Sequence, residues 1–440
     1  MMSFSSAAGM PERFVLLQAI MQLPAEFIQT TEALMGRERF EQYLHSFEED
    51  TPVSIRLNPK KTSAERCLKD DMVPVPWCRN AFYLKSRPNF TFDPLFHAGC
   101  YYVQEAASMF LDQALRQHLP NTVNMALDLC AAPGGKSTLL RAVLPEECVL
   151  YSNEPMRNRA SILLENVQKW GYANHHVTNL FPKDYRKSKM KFDVILCDVP
   201  CSGEGMFRKD EATIKEWSTQ NVEKCWQLQR DIVNEAWQCL NEGGLLIYST
   251  CTFNTKENEE NVRWMMEELG AKVLPVDTKT EWNITGSLLE GFEEPVYRFI
   301  PGITRSEGLF MCVLQKQQYQ DEYQTLVASV PSVGSQATKR RYSGYQGLVA
   351  TLPRLGSEDT KSGYPQYPLS YQQAMAYLRH EAIMLSPDTP RGLVEVCFMN
   401  HPLGLVKNIG NRANNLYPKE WRIKTTHVPQ DYEPVLRFMD

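Results

Sequence analysis

Two cysteines, three acids and a glycine-rich loop have the types and spacing that chemistry needs. Asp198-Val199-Pro200-Cys201-Ser202-Gly203-Glu204-Gly205 follows one apolar run, and Ser249-Thr250-Cys251 closes another. A lone cysteine is most often a buried packing residue. Two of them just past the ends of neighbouring strands would face one cleft, where a thiolate is a nucleophile. A third segment reads Asp128-Leu129-Cys130-Ala131-Ala132-Pro133-Gly134-Gly135-Lys136-Ser137-Thr138. Small residues and two glycines there let a ligand approach the backbone, and the helix that follows offers free N–H groups. A nucleotide-like cofactor is implied. The G-x-G-x-x-G dinucleotide fingerprint is absent, and a phosphate loop would need glycine where Cys130 stands. Glu154 ends a further apolar run, where an acid accepts hydrogen bonds from ribose hydroxyls or is simply a surface carboxylate.

The elements that must position these residues are short runs at 124–129, 149–153, 175–179, 192–198 and 245–249, with amphipathic stretches at 156–170 and 221–240 between them. Alternation of this kind predicts an α/β fold, a parallel sheet with helices on both faces and ligands at the carboxyl ends of its strands. The catalytic unit is expected over 88–318. Ahead of it, 23–87 reads as a small α+β unit of RNA-binding type, with helical spacing of Phe27, Leu34, Phe40 and Tyr43 over 24–47 and a strand at 54–58. Lys60 and Lys61 after that strand are either a solvated pair or an RNA contact. Residues 1–22 form an extension with no assigned role. Met10 and Met21 leave open where the functional chain starts. A Gln- and Ser-rich stretch at 319–341 is the expected linker to a compact unit over 342–440.

The chain has 440 residues, 43% of them hydrophobic, and a formal charge of -5, which argues against a surface coated in cations for indiscriminate nucleic-acid binding. Residues 336–440 carry 13 basic against 9 acidic side chains, while the rest carries 34 against 43, so any polyanion surface is local. Lys407, Arg412, Lys419, Arg422 and Lys424, interleaved with Tyr417 and Trp421, would suit phosphates and stacked bases, or form a solvated face. Twelve cysteines include no C-x-x-C pair, so no zinc ribbon or thioredoxin-type site is signalled, and reduced thiols in the cytosol are expected. Neither metal nor membrane is called for, and a monomer is expected.

The three motifs together, with Gly205-Met206-Phe207-Arg208-Lys209, resemble those of the Nop/Sun family of RNA cytosine-5 methyltransferases, and most resemble its bacterial branch acting on small-subunit (16S) ribosomal RNA. Tyr101-Tyr102-Val103-Gln104-Glu105 is similar to the family's lead-in, and Leu403-Gly404 through Tyr417-Pro418 to its PUA-like tail. The resemblance implies a Rossmann-like sheet that binds S-adenosyl-L-methionine. Cys130, Ala131, Ala132, Pro133, Gly134, Gly135 and Lys136 would wrap the methionine end, Glu154 would hold the ribose, and Asp198 would sit between cofactor and base. It further implies Cys251 as nucleophile and Cys201 as the group assisting product release. Phe181 stands where that branch usually has an acid against the adenine; either it stacks on the ring or Asp184 reaches back.

The implied chemistry is coherent. Carbon 5 of cytosine is a weak nucleophile, so a thiolate must first add at carbon 6. A helix opening at 254–258 is expected to favour that thiolate through its dipole. The base must be unstacked, so single-stranded or flipped RNA is the expected partner. Two other classes share part of the pattern. An idle ribosome-assembly factor would have no need of both cysteines, and a DNA cytosine methyltransferase would use the cysteine of Pro200-Cys201.

Overall fold

The computed structural model describes residues 23–67, 72–317, 363–425 and 427–438; the 1–22 extension and the 319–341 linker lie outside them. The helical stretch expected over 24–47 turns at Gly36 into α1 (Ala25–Met35) and α2 (Arg37–His45). Their inner faces bury Phe27, Phe40 and Tyr43 against Phe207, Trp217 and Phe253. Next comes an antiparallel sheet of order β2-β3-β1-β4, formed by β1 (Val53–Leu57), β2 (Val73–Pro74), β3 (Ala81–Leu84) and β4 (Tyr101–Val103). The boundary expected at 87 therefore falls inside this unit. Tyr101–Val103 lies along β1 with Leu57 opposite Tyr101 and Ile55 opposite Val103, so its backbone hydrogen bonds belong to the N-terminal sheet.

The central sheet carries the five expected parallel strands, β5 (Met125–Asp128), β6 (Val149–Asn153), β7 (His175–Thr178), β8 (Phe192–Asp198) and β9 (Leu240–Thr250). Three more were not anticipated: β10 (Ala271–Leu274), β11 (Tyr297–Phe299) and β12 (Leu309–Lys316). β12 runs antiparallel to β9 and β10, so the sheet is mixed, of order β10-β12-β9-β8-β5-β6-β7 with β11 on β12. No α-helix lies between β10 and β12 to make a parallel crossover. Helices α3 (Gly135–Val143), α4 (Arg157–Trp170), α5 (Pro182–Ser188), α6 (Thr219–Cys239) and α7 (Glu259–Leu269) pack around it. Strand order reverses between β5 and β8, and the crevice at that switch point is where such sheets bind ligands.

The C-terminal unit pairs β13 (Gln366–Pro368), β14 (Gly392–Phe398), β15 (His401–Asn408) and β16 (Ala413–Asn415) in that order, with α8 (Tyr371–Leu378) packed on β14. This is the PUA-like sheet. It shares one apolar core with the N-terminal sheet: Ile55, Leu57 and Leu95 cluster with Leu378, Val396 and Leu436. Tyr432 Oη also donates to Asp93 Oδ1 at 2.9 Å.

Polar side chains join the N-terminal unit to the catalytic one. Asn58 Nδ2 donates to Gly99 O at 2.9 Å and to Trp170 O, at the end of α4, at 2.8 Å. Lys61 Nζ donates to Ala98 O at 2.7 Å and Lys169 O at 2.6 Å. Cations and N–H donors suit the carbonyls that a helix leaves unpaired at its C-terminus. Burial pulls the Lys61 amine down to about 8. Neither a solvated lysine nor an RNA contact describes Lys61, which is buried; Lys60 is half-buried, 5.3 Å over the Tyr172 ring and 3.7 Å from the exposed Glu146. Replacing Asn58 by Ala orphans two carbonyls, so urea denaturation should show a loss on the order of 2–4 kcal/mol. A loss within the scatter of surface substitutions would contradict this account of the joint.

Candidate active site

The loop leaving β5 is built for close approach. Ala131 N donates to Asn153 O at 2.8 Å, which ties the loop to the end of β6, and the Ala132–Pro133 peptide is cis. Gly134 has φ +117°, a conformation that side-chain-bearing residues rarely adopt, and a Cβ there would lie 3.2 Å from Leu163 Cδ1. Gly135 then opens α3. Beneath it Arg56 crosses from the N-terminal sheet: Nη2 donates to Thr138 Oγ1 at 2.6 Å and Gly135 O at 3.2 Å, Nε donates to Gln104 Oε1 at 2.9 Å, and the guanidinium lies 4.6 Å over Trp170. Burial lowers its pKa to about 10, which leaves it charged at neutral pH.

Asp128 and Asp198 end the two strands that flank the switch point. Lys136 Nζ pairs with Asp198 Oδ2 at 2.9 Å, and Ser249 Oγ donates to Asp198 Oδ1 at 2.7 Å. Burial pulls the Lys136 ammonium down, but the charge and hydrogen bond of Asp198 outweigh it and its pKa is raised; the Cys251 sulfur adds to that rise. Asp128 Oδ2 accepts from Ser137 Oγ, while its Oδ1 is buried without a partner. Burial, offset in part by Ser137 and reinforced by the Asp198 charge, lifts this carboxyl to about 7.

The two cysteines meet. Cys201 Sγ lies 2.9 Å from Cys251 Sγ and accepts from Cys251 N at 3.2 Å. The hydrogen bond to Cys251, then burial, pushes the Cys201 thiol well above its usual range. Either sulfur of the pair can donate its S–H to the other. The helix expected to open at 254–258 starts later. α7 begins only at Glu259, residues 255–258 form turns, and Glu259 and Glu260 occupy its first turn. The nearby cation is Lys136.

Residues that no sequence motif singled out hold this pair. Glu204 Oε2 accepts from Phe253 N at 2.7 Å and Asn254 N at 2.9 Å, and Glu257 Oε2 accepts from Ser202 N at 3.0 Å. Gly205 N donates to Cys251 O at 2.9 Å; a Cβ on Gly205 would come within 2.7 Å of Gly308 Cα, so these strand-end loops touch backbone to backbone. Glu204 did carry a readable signal, an acid three residues past a cysteine. The Met206–Lys209 extension is partly anchoring: Phe207 sits 4.9 Å from the Phe27 ring, and Arg208 pairs with buried Glu307 at 2.9 Å.

Glu154 is only 2% exposed, with Oε1 accepting from Met156 N at 2.9 Å and Oε2 lying 3.3 Å from the exposed Arg159. Both oxygens thus have a partner, one of them a guanidinium at the surface. Asp184 turns back to accept from Phe181 N at 3.1 Å, capping α5, which leaves the Phe181 ring 57% exposed. Among the described residues no cluster of His, Cys, Asp and Glu could hold a metal.

The C-terminal cations stand apart from this crevice. Lys407, Arg412, Lys419, Arg422 and Lys424 are exposed. Trp421, expected to stack on bases, is half-buried instead, 6.0 Å from Tyr417 and 5.7 Å beneath Lys169 of α4. Its ring closes a joint between units.

Three family models match along the chain: the N-terminal domain of 16S rRNA methyltransferase RsmF at 23–106, 16S rRNA methyltransferase RsmB/F at 116–315, and the methyltransferase RsmF PUA domain at 364–423. The chain belongs to the RsmB/F methyltransferase family. Curated relatives of this RsmB/F chain include ribosomal RNA small subunit methyltransferase F of Pectobacterium atrosepticum, 33% identical over 67% of the chain and 63% of the relative's length. The same-named protein of Erwinia tasmaniensis is 28% identical over 90% of the chain and 96% of its own length. Among solved structures, a methyltransferase homolog protein from Pyrococcus horikoshii has TM-score 0.59 at 24% identity over 70% of the chain and 100% of its own. NSun6 from the same organism, solved with SFG, has TM-score 0.55 at 20% identity over 67% and 98%. These two share the fold.

Asp128 gives the RsmB/F chain a pH signature. Unfolded, the carboxyl titrates at about 3.9, and folded at about 7. Its contribution to stability is full below the first value and is lost as pH rises through the second. Asp128→Asn carries no proton to lose. The urea midpoint of the variant minus that of the wild type should therefore rise between about pH 5 and about pH 8; a difference independent of pH would refute the assignment.

Proposed function

We propose that this chain transfers a methyl group from S-adenosyl-L-methionine to carbon 5 of a cytosine in RNA, with small-subunit (16S) ribosomal RNA as substrate, through a covalent cysteine–cytosine intermediate. The observation that carries the reading is the pair of thiols 2.9 Å apart at the ends of adjacent strands, beside an Asp198–Lys136 ion pair and a glycine loop. Family membership and the names of the curated relatives support the substrate. Twelve cysteines, none of them in a disulfide, suit the reducing cytoplasm.

The residues present fit the cofactor. The N-terminus of α3, which Gly134 opens without a side-chain cap, offers N–H groups to a ligand, Asp128 Oδ1 has no partner, and Glu154 Oε2 meets the exposed Arg159, which a hydroxyl could join. Residues 130–136, Glu154 and the Phe181 ring would hold it. When bound, the cofactor supplies an electrophilic methyl group on a sulfonium.

The chain's own residues do the rest. Cys251 Sγ adds to carbon 6, forming a carbon–sulfur bond while the carbon 5–carbon 6 π electrons move onto carbon 5 and the ring. Asp198, paired with Lys136, accepts from the exocyclic amino group and orients the base. Once Cys251 is bonded to the base, Cys201 loses the hydrogen bond and the charge that chiefly kept its proton. It then gives that proton to solvent and, as thiolate, takes the carbon 5 proton of the methylated adduct, while the electron pair of the broken carbon–hydrogen bond re-forms the double bond and expels Cys251 as thiolate. One sulfur after the other thus serves as the anion.

The test is a denaturing gel with substrate RNA and cofactor. Cys251→Ala should neither methylate nor form an adduct, whereas Cys201→Ala should methylate poorly and accumulate an adduct that survives denaturation. The reverse pattern would assign nucleophilic attack to Cys201, as in the DNA enzymes.

RNA affinity is assigned to the C-terminal cations. Changing Lys407, Arg412 and Arg422 to Ala should weaken RNA binding and flatten its salt dependence by about 0.7 in slope for each phosphate that is no longer neutralised. An unchanged slope would move the RNA surface elsewhere.

A further inference from the structure

Arg56 reaches out of the N-terminal sheet and ends behind the loop that leaves β5. It is 2% exposed, and its neighbours fix where the charge lies. Nη2 donates to Thr138 Oγ1 and Gly135 O in the first turn of α3, Nε donates to Gln104 Oε1, and the Trp170 ring covers the guanidinium. Tyr102 and Gln104 close the same space: a Cβ on Gly135 would lie 3.4 Å from Tyr102 Cε1 and 3.5 Å from Gln104 Cδ. The guanidinium cannot turn away from the loop without orphaning its donors.

Every acceptor of Arg56 is neutral, and among the described residues no carboxylate pairs with it. The acid whose charge reaches it, Asp112, is held by Arg116 at 2.8 Å. A buried cation is costly unless something negative compensates it. The other buried arginines have that compensation. Arg298 pairs with Glu259, and Arg141 donates to the carbonyls of Leu144 and Pro145 just past the C-terminus of α3, at the negative pole of that helix. Arg56 lies at the opposite end of the same helix, where the dipole is positive and Gly134 provides no side-chain cap. The one cation of the loop itself, Lys136, is taken by Asp198. The buried guanidinium and the helix end therefore call for the same anion.

We propose that Arg56 is a positioning residue for the cofactor, whose carboxylate, bound at the opening of α3, balances the buried charge. This rests on the reading of the chain as an S-adenosyl-L-methionine-dependent methyltransferase with residues 130–136 around the methionine end. Arg56 acts through the first turn of α3: its hydrogen bonds fix that turn, and its field adds to that of the helix end.

The experiment titrates the full-length protein, without RNA, with S-adenosyl-L-methionine and with its decarboxylated analogue by calorimetry. Wild type should bind the carboxylate-bearing ligand about tenfold or more tightly than the analogue, as charge-assisted hydrogen bonds to the carboxylate require. In Arg56→Gln, which keeps a donor but not the charge, that preference should fall about tenfold, the effect of removing one charge from a partly screened site. Arg56→Lys keeps the charge without the fork and should keep most of the preference even where both ligands bind more weakly, which preserves the test if the Gln protein does not fold. A strut with no electrostatic part would weaken both ligands by one factor. That result in the Gln variant, a Lys variant without preference, or a wild type that binds the two ligands alike would overturn the proposal. A wild type that binds neither ligand would overturn the methyltransferase reading and the proposal with it, so the two failures are distinct.

Discussion

Asp198 lies opposite Ser249 in the pairing of β8 with β9, and most of the site follows from that register. Both strands are buried nearly throughout, so a slip of one residue would turn every β9 side chain to the wrong face. With the register held, Ser249 Oγ reaches Asp198, and the chains leaving the two strands bring Cys201 and Cys251 together three and two residues later. β12 contributes from the far side of β9. Its antiparallel pairing starts with Phe310 opposite Thr250, which sets Gly308 against Gly205 beneath the cysteine loops.

Buried acids are expensive unless every oxygen meets a donor or a cation. Under the cysteine loops the molecule keeps several. Glu204 and Glu257 meet N–H groups, Glu259 is gripped by Arg298, and Arg208 takes one oxygen of Glu307. Such lattices have few alternative arrangements that leave no group orphaned, so they favour one geometry over its neighbours. The contact between Cys201 and Cys251 benefits from that narrowness. The oxygens without partners, Asp128 Oδ1 and Glu307 Oε2, belong to the two acids whose pKa rises to about 7 and about 6.

What could be read in the sequence was what repeats locally. β6 and β8 fall at the expected bounds, and β5, β7, α4 and α6 within two residues of theirs, because a buried strand or an amphipathic helix writes its period into neighbouring residues. The cysteines, Asp198, Glu154 and the glycine loop were visible because strand ends are where such sheets keep their chemistry. Long-range partnerships were not visible. Tyr101–Val103 has no local mark that assigns it to a sheet begun near residue 53, and Lys61 looks like a surface lysine until the end of α4 is placed beside it. Trp421 and its basic neighbours read as one patch, yet the ring faces inward while the charges face out. The Glu204–Glu257 crossing joins residues 49 to 55 positions apart in sequence, and only the fold can pair them.

The far end of α4 has a further meaning for anyone who would treat the catalytic sheet as a portable part. Its last carbonyls are covered by Asn58 and Lys61, the Trp170 ring lies under Arg56, and Lys169 sits over Trp421, so one helix turn is the common abutment of all three units. A fragment trimmed to the sheet and its helices would lose the guanidinium beneath its cofactor loop along with the roof over that turn. The N-terminal unit is in this sense an internal wall behind the β5 loop, and the smallest transplantable version of this sheet takes its two neighbouring units with it.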